Sequence, residues 1–351
     1  MMDLTGKKVL VIKLRYIGDT LTLIPVIDTL SEKVPGVIVD VMVNRGTEEV
    51  LAFHPGIKRL WVYDRRLAKK NIVSSIFYHV NLIKALISEG YDCVIDFSHG
   101  DRAAFLSFMT AAPCRITYEK SSMFSRLLMN RFVNADPFEH HIVDYQLQSL
   151  KLFGLDHFKK DIRLSMPASV RERIDSLLSG LGVDQRSFNV AIHPGARGRL
   201  RQWPLERFAE IAGRLKASFN AEIILVGGPG EKALVDALED NMGFPALLKS
   251  SELGLLEMGA LFSRCRLFMG NDSAPAHIAA AVNCPTLTLF GPTFPHMWRP
   301  LSALGEVVFK NVPCCGCRQE SCIRPEKTCM ELIEVDEVWQ KAESMRSSIA
   351  F

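Results

Sequence analysis

The sequence predicts an α/β protein of two doubly wound, Rossmann-like domains. Three observations carry that prediction. Short, near-continuous apolar runs such as "KKVLVIKL" and "DCVIDFS" have the character of buried parallel strands. They alternate with longer segments of helical period, which implies right-handed crossovers. The alternation is interrupted near residues 160–168, where "KKDIRLSMPAS" introduces a proline and small polar residues, and it then restarts.

Taken in order, the first series places strands at 7–14, 37–44, 57–63, 92–99 and 115–119, with helices such as 20–33 and 72–90 between them. The second opens with a helix near 168–180 and strand "FNVAIHPG", then helix 204–218, strand "AEIILVGG" and helix 230–241. Helix 252–264, strand "RLFMGND", helix 274–283 and strand "PTLTLFGP" follow. The expected domains are 1–165 and 166–335, and the last stretch, 336–351, is a helix free to join either domain, with packing back on the first common in two-domain folds of this type.

At 351 residues the chain is long enough for two cores. With 48% apolar and 23% charged residues it is not a disordered protein, and a net charge of +3 excludes a dedicated nucleic-acid binder. Residues 1–160 hold 21 Lys/Arg against 17 Asp/Glu, a mildly basic half suited to an anionic acceptor or membrane surface. No signal peptide or membrane-length apolar run is visible, so the expected location is the cytoplasm. In that compartment nine cysteines are thiols or metal ligands before they are disulfides.

Chemistry concentrates in strand-to-helix turns, where open α/β sheets bind ligands. In "KLRYIGDTLTLIP" (13–25) a strand ends near Leu14, a loop carries Gly18 and Asp19, and a helix begins around Thr20. Gly18 permits a tight turn. Asp19 either caps the helix or projects a catalytic carboxylate into the crevice. In "HPGARGRLRQWPLERFAEI" (193–211) Arg197, Arg199 and Arg201 form either a solvated basic loop or a bidentate grip on a diphosphate. Trp203 is expected to be a packing anchor.

In "GNDSAPAHIAAAV" (270–282) Asp272 and Ser273 are N-cap residues, Ala274 and Pro275 open the helix, and its free N–H groups make an anion site. His277 on the same turn is structural or a ligand to phosphate or ribose. In "LVGGPGEKAL" Glu231 is an exposed first-turn acid or reaches a ribose. No Asp-x-Asp occurs in the sequence, so leaving-group charge falls to arginine and a helix terminus rather than to a metal. Cys314, Cys317, Cys322 and Cys329, with Cys315 adjacent, open like a zinc site, but the later gaps are atypical of one. They are read as reduced thiols, an adventitious disulfide or a structural metal site.

Together, "IGDTLTLIP", "HPGAR…RQWP…RFAEIA", "ILVGGPGE", "GNDSAPAHIAAA" and "LFGPTFPHMWRP" resemble, in order over nearly the whole chain, the lipopolysaccharide heptosyltransferases of glycosyltransferase family 9. The resemblance implies a GT-B fold, with two Rossmann-like domains facing across a cleft. It implies an inverting, metal-independent transfer from ADP-heptose to a Kdo- or heptose-bearing lipid A core, with no cofactor. Asp19 is then the general base and Arg201 the diphosphate contact, although family members often carry Lys there. Asp272, Ser273, Ala274 and His277 receive the ADP. His141 matches a recurrent family position without a chemical role. The alternatives are a GT-B enzyme with another nucleotide sugar and a silent nucleotide-sugar-binding module, which an intact Asp19 disfavours.

The segment 65–86 begins with Arg65, Arg66, Lys69 and Lys70, followed by Ile72, Val73, Ile76 and Phe77. It is either a crossover helix whose apolar face covers the sheet, or one whose basic end also touches lipid A phosphates or the inner-leaflet surface.

Overall fold

The structure, a computed structural model, describes residues 2–119, 121–183, 187–317, 321–324, 326–347 and 349. The chain divides into two compact units, Met1–Ser165 and Met166–Phe351.

The first unit contains strands β1 (Lys8–Lys13), β2 (Ile38–Asn44), β3 (Arg59–Tyr63), β4 (Cys93–Asp96), β5 (Cys114–Tyr118) and β6 (Arg131–Val133). Its helices are α1 (Ile17–Leu21), α2 (Ile24–Lys33), α3 (Ile72–Ser88), α4 (Asp101–Met109), α5 (Met123–Leu128) and α6 (Ile142–Leu147). The strands pair in parallel in the order β3-β2-β1-β4-β5-β6. The chain therefore reverses its winding between β1 and β4, which makes their carboxyl ends the binding edge. Val9, Leu10, Val11 and Ile12 are fully buried, as expected of a central parallel strand covered on both faces.

The second unit contains α7 (Ala168–Gly180), β7 (Phe188–His193), α8 (Leu205–Phe219), β8 (Ala221–Val226), α9 (Lys232–Met242), β9 (Leu248–Ser250) and α10 (Leu255–Phe262). It continues with β10 (Leu267–Asn271), α11 (Ala274–Ala281), β11 (Thr286–Phe290), α12 (Pro295–Trp298), β12 (Gly305–Phe309) and α13 (Val335–Arg346). The order β12-β11-β10-β7-β8-β9 has the same winding, with its switch point between β7 and β10. Trp203 anchors this core as expected: it is buried, packs edge-on against Phe208 and donates through Nε1 to Ile333 O at 2.9 Å.

Three features were open or unexpected in the sequence. The terminal helix, left free to join either domain, belongs to the second unit: Val338, Ala342 and Met345 of α13 enter its core, against α8. Strands β6, β9 and β12 lie at sheet edges where no strand was expected. In α3, the face turned to the sheet carries Tyr78, Leu82 and Leu86, whereas Ile72, Val73, Ile76 and Phe77 point to solvent. No described helix is long and apolar enough to cross a membrane.

Candidate active-site residues of the two units

At the switch point of the first unit β1 ends in Lys13, which is buried on all sides. Its Nζ lies 3.4 Å from Asp19 Oδ1. Gln146 of α6, with its amide oriented to satisfy its neighbours, accepts from the same Nζ at 3.1 Å and from Thr22 Oγ1 at 3.0 Å. Burial pulls the Lys13 ammonium below its ordinary range, and the Asp19 carboxylate opposes that pull. Asp19 stands in the first turn of α1 but does not cap it; Tyr16 is the N-cap residue and no side chain caps. A carboxylate free of capping, partly exposed and tied to a buried cation is available for proton transfer.

Gly18 departs from expectation. The helix starts at Ile17, so Gly18 is helical and lacks the positive φ that a glycine turn would require. Arg65, one of the four basic residues opening the 65–86 segment, is engaged within the fold. It donates from Nε to Asn44 Oδ1 at 3.0 Å and from Nη2 to Leu14 O at 2.7 Å. His141, left without a role by the sequence, caps α6 by accepting Val143 N–H at 3.3 Å, and so supports the helix that carries Gln146.

Beside them β4 ends in Asp96, whose Oδ1 accepts Ser98 N–H at 2.7 Å and whose Oδ2 has no partner among the described residues. Burial pushes its carboxyl up to about 6, against the Ser98 hydrogen bonds and the Lys13 and Arg15 charges. In the unfolded chain the value is about 3.9. The folded state thus holds the proton more tightly, and this favourable term is complete below about pH 4 and lost as pH rises through about 6. Wild-type Tm is therefore expected to fall between pH 5 and pH 7, and Asp96→Asn to flatten that fall; parallel Tm curves for the two proteins would refute the assignment. His99, next in the same turn, adopts φ +54° between the Tyr118 and Tyr145 rings, and burial lowers its imidazole to about 3, which keeps it neutral.

In the second unit two of the expected motifs meet. Arg201 donates to Asp272 O at 2.9 Å and pairs with the Asp272 carboxylate, which Thr293 Oγ1 also contacts. Arg201 Nε is buried and has no partner among the described residues. Arg197 and Arg199 lie exposed on the loop before it. Ser273 is the N-cap residue of α11, but its hydroxyl does not cap. It lies 3.2 Å from His193 Nδ1 and 3.1 Å from Asn271 O, leaving the first-turn N–H groups of α11 uncapped by its hydroxyl. Ala274 opens that helix, and His277 is buried on its first turn.

His193 is the residue that sequence reasoning passed over. Its Nε2 lies 3.0 Å from Glu231 Oε2, which also accepts Gly228 N–H at 2.6 Å. With Glu231 ionised, the imidazole donates from Nε2 to that carboxylate, and the Ser273 hydroxyl faces Nδ1. The His193 and Gly228 contacts hold Glu231 below the usual carboxylate range despite burial. A Cβ at Gly195 would fall on this carboxylate, so a side chain there would have to displace Glu231 from His193. Glu231 is therefore not an exposed first-turn acid. A chain Ser273–His193–Glu231 links the starts of α11 and α9 across the switch point.

The cysteines converge too. Cys314, Cys315, Cys317, Cys322 and Cys329 line one cavity with Leu200. All are free thiols, and burial raises Cys329 to about 11. Among the described residues no group of three or more His, Cys, Asp or Glu side chains is arranged to hold a metal.

The family model described as glycosyltransferase family 9 (heptosyltransferase) matches residues 79–328. Lipopolysaccharide heptosyltransferase 3 of Escherichia coli is 31% identical over 293 residues, covering 82% of this chain and 85% of the relative. Lipopolysaccharide heptosyltransferase 1 of E. coli K12 is 25% identical over 82% of this chain and 89% of its own length. Among solved structures, a family 9 glycosyl transferase from Veillonella parvula superposes with TM-score 0.84 at 21% identity over 98% of both chains. E. coli heptosyltransferase WaaC with ADP gives 0.73 at 19% identity over 97% of this chain and 100% of that one. Both sheets, with helices on their faces, match the GT-B heptosyltransferase fold. The chain belongs to glycosyltransferase family 9, the heptosyltransferases, and is a glycosyltransferase.

Proposed function

We propose that the protein transfers heptose from ADP-heptose to the Kdo/heptose–lipid A inner core of lipopolysaccharide by an inverting, metal-independent displacement. The observation that carries this reading is the uncapped Asp19 carboxylate, held by buried Lys13 at the carboxyl edge of the first sheet. A sugar hydroxyl is a poor nucleophile at neutral pH, so a carboxylate takes its proton as the new bond forms. ADP leaves with charge growing on its β-phosphate, where Arg201 and the first-turn N–H groups of α11 supply positive field. Glu231, presented by His193, accepts the ribose hydroxyls, and Asp272 aligns Arg201. In this reading the first unit takes the acceptor and the second the donor. Because that acceptor is lipid-linked, the enzyme works as a peripheral protein on the cytoplasmic face of the inner membrane.

Purified protein with ADP-heptose and a series of truncated core acceptors is expected to release ADP and add one heptose, equally with and without EDTA. Turnover with a different nucleotide sugar alone would overturn the donor assignment, and binding without turnover would leave a nucleotide-sugar-binding module.

Arg201→Ala is expected to weaken donor binding and to lower kcat/KM by about 10²-fold, as loss of one preorganised donor to a developing oxyanion does. Arg201→Lys restores part of it, because charge returns without the bidentate fork. Equal kinetics for wild type and Arg201→Ala would move the diphosphate contact to Arg197 or Arg199.

A further inference from the structure

The first unit carries an apolar face that its own fold leaves uncovered. The β3–α3–β4, β4–α4–β5 and β5–α5–β6 connections step in one direction along the sheet, so right-handed crossovers put α3, α4 and α5 in one layer. The α3–α4 and α4–α5 contacts agree with that placement. Within this layer α3 spends one stripe on the sheet and presents a second to solvent. Ile72, Val73, Ile76 and Phe77 are 79%, 78%, 58% and 70% exposed, and Val80 and Ile87 extend the stripe. On α5, Met123 and Leu127 are 82% and 77% exposed. Apolar side chains so exposed on two helices of one layer mark an interaction surface rather than scattered surface residues.

Charge selects the partner. Exposed Arg66, Lys69 and Lys70 gather at the amino end of α3, Lys84 lies farther along it and Arg126 sits on α5. Residues 65–88 contain five basic side chains and no Asp or Glu. A helix with an apolar stripe, a basic end and no acid has the composition of one that lies in the plane of a bilayer interface. Its apolar side chains enter the acyl boundary while its cations meet anionic headgroups, and the two signals together give reversible attachment. With no described helix able to cross a membrane, attachment from one side is the mode this surface offers.

We propose that the α3–α5 face seats on an anionic phospholipid bilayer, with α3 lying flat in the interface. This rests on the lipid-linked acceptor of the proposed function and names the surface that meets the lipid. Arg65 is excluded from the contact set because its guanidinium is engaged by Asn44 and Leu14.

The test uses the full chain and vesicles of phosphatidylcholine, with or without 30 mol% phosphatidylglycerol (roughly the anionic content that polybasic surfaces sense). Sedimentation is expected with the anionic vesicles and to weaken with salt. Ile76→Ser/Phe77→Ser and, separately, Arg66→Glu/Lys69→Glu/Lys70→Glu should each lower the partition by about ten-fold or more. These positions are solvent-exposed, so both variants should fold, and turnover with a delipidated core oligosaccharide should stay at the wild-type level. Vesicle binding needs no substrate, so failure of heptose transfer leaves this result readable. Unchanged sedimentation of either variant overturns the proposal. So does a wild-type dimer that Ile76→Ser/Phe77→Ser renders monomeric without any vesicle binding, because the face would then be covered by a second copy.

Discussion

Asp19→Asn is expected to reduce transfer by about 10²–10⁴-fold, the range that a positioned general base contributes. The amide keeps the size of the carboxylate but cannot accept the proton of the acceptor hydroxyl at neutral pH. Because Asp19 makes no capping bond, α1 loses nothing it relied on. The change does remove the negative partner 3.4 Å from buried Lys13. Gln146 still accepts from that ammonium, and Asp96 still contributes its field, so Tm should fall by only a few degrees. ADP affinity should remain within about two-fold of wild type, since Asp19 and the residues proposed to hold the donor belong to different units. Stopped-flow or coupled ADP release gives kcat, and calorimetry with ADP gives the donor affinity. A variant that retains more than about a tenth of wild-type turnover would exclude general-base catalysis at this residue.

Much of this architecture was legible in the residues because parallel α/β folds write themselves locally. Strands β1, β7, β8, β10 and β11 are apolar runs closed by a turn, and each was visible. What escaped detection has physical causes. Strands β6 and β9 are three residues long and lie at sheet edges, so they carry neither a buried run nor an alternation. Helix α3 carries apolar residues on more than one side, and periodicity cannot say which of two apolar stripes faces inward. The apolar face that covers the sheet is Tyr78, Leu82 and Leu86, not the Ile72, Val73, Ile76 and Phe77 that open the helix.

The candidate sites divide in the same way. Asp19, Arg201, Asp272 and Ser273 stood out because they lie in turns at the carboxyl ends of strands. Lys13 and His193 occupy the last positions of apolar runs, where a lone polar residue passes for the end of a strand. The usable signal was their place: a polar side chain closing β1 or β7 points into the switch-point edge, where α/β sites are built. Their partners, Gln146 on α6 and Glu231 at the N-cap of α9, are distant in sequence, so only the folded topology pairs them.

Lys13→Met is the second large effect. A fully buried ammonium is unfavourable unless it is matched, and burial already depresses its basicity. An unbranched apolar side chain of similar length fills the same space. Asp19, left behind, is partly exposed and can rehydrate, so the fold should be nearly as stable or somewhat more so. Turnover should behave otherwise. Without the fixed cation the carboxylate is free to rotate away from the acceptor hydroxyl, and misplacement by about 1 Å is enough for a 10²-fold loss. The expected result is therefore a fall in kcat of about 10–100-fold with the KM for ADP-heptose unchanged. A double-mutant cycle separates positioning from an independent role. If Lys13 acts through Asp19, Lys13→Met/Asp19→Asn will be no slower than Asp19→Asn alone, because there is no longer a base to orient. Multiplying losses in the double variant would show that Lys13 reaches the reaction by another route, and unchanged kcat in Lys13→Met would reduce the ion pair to a packing feature of β1.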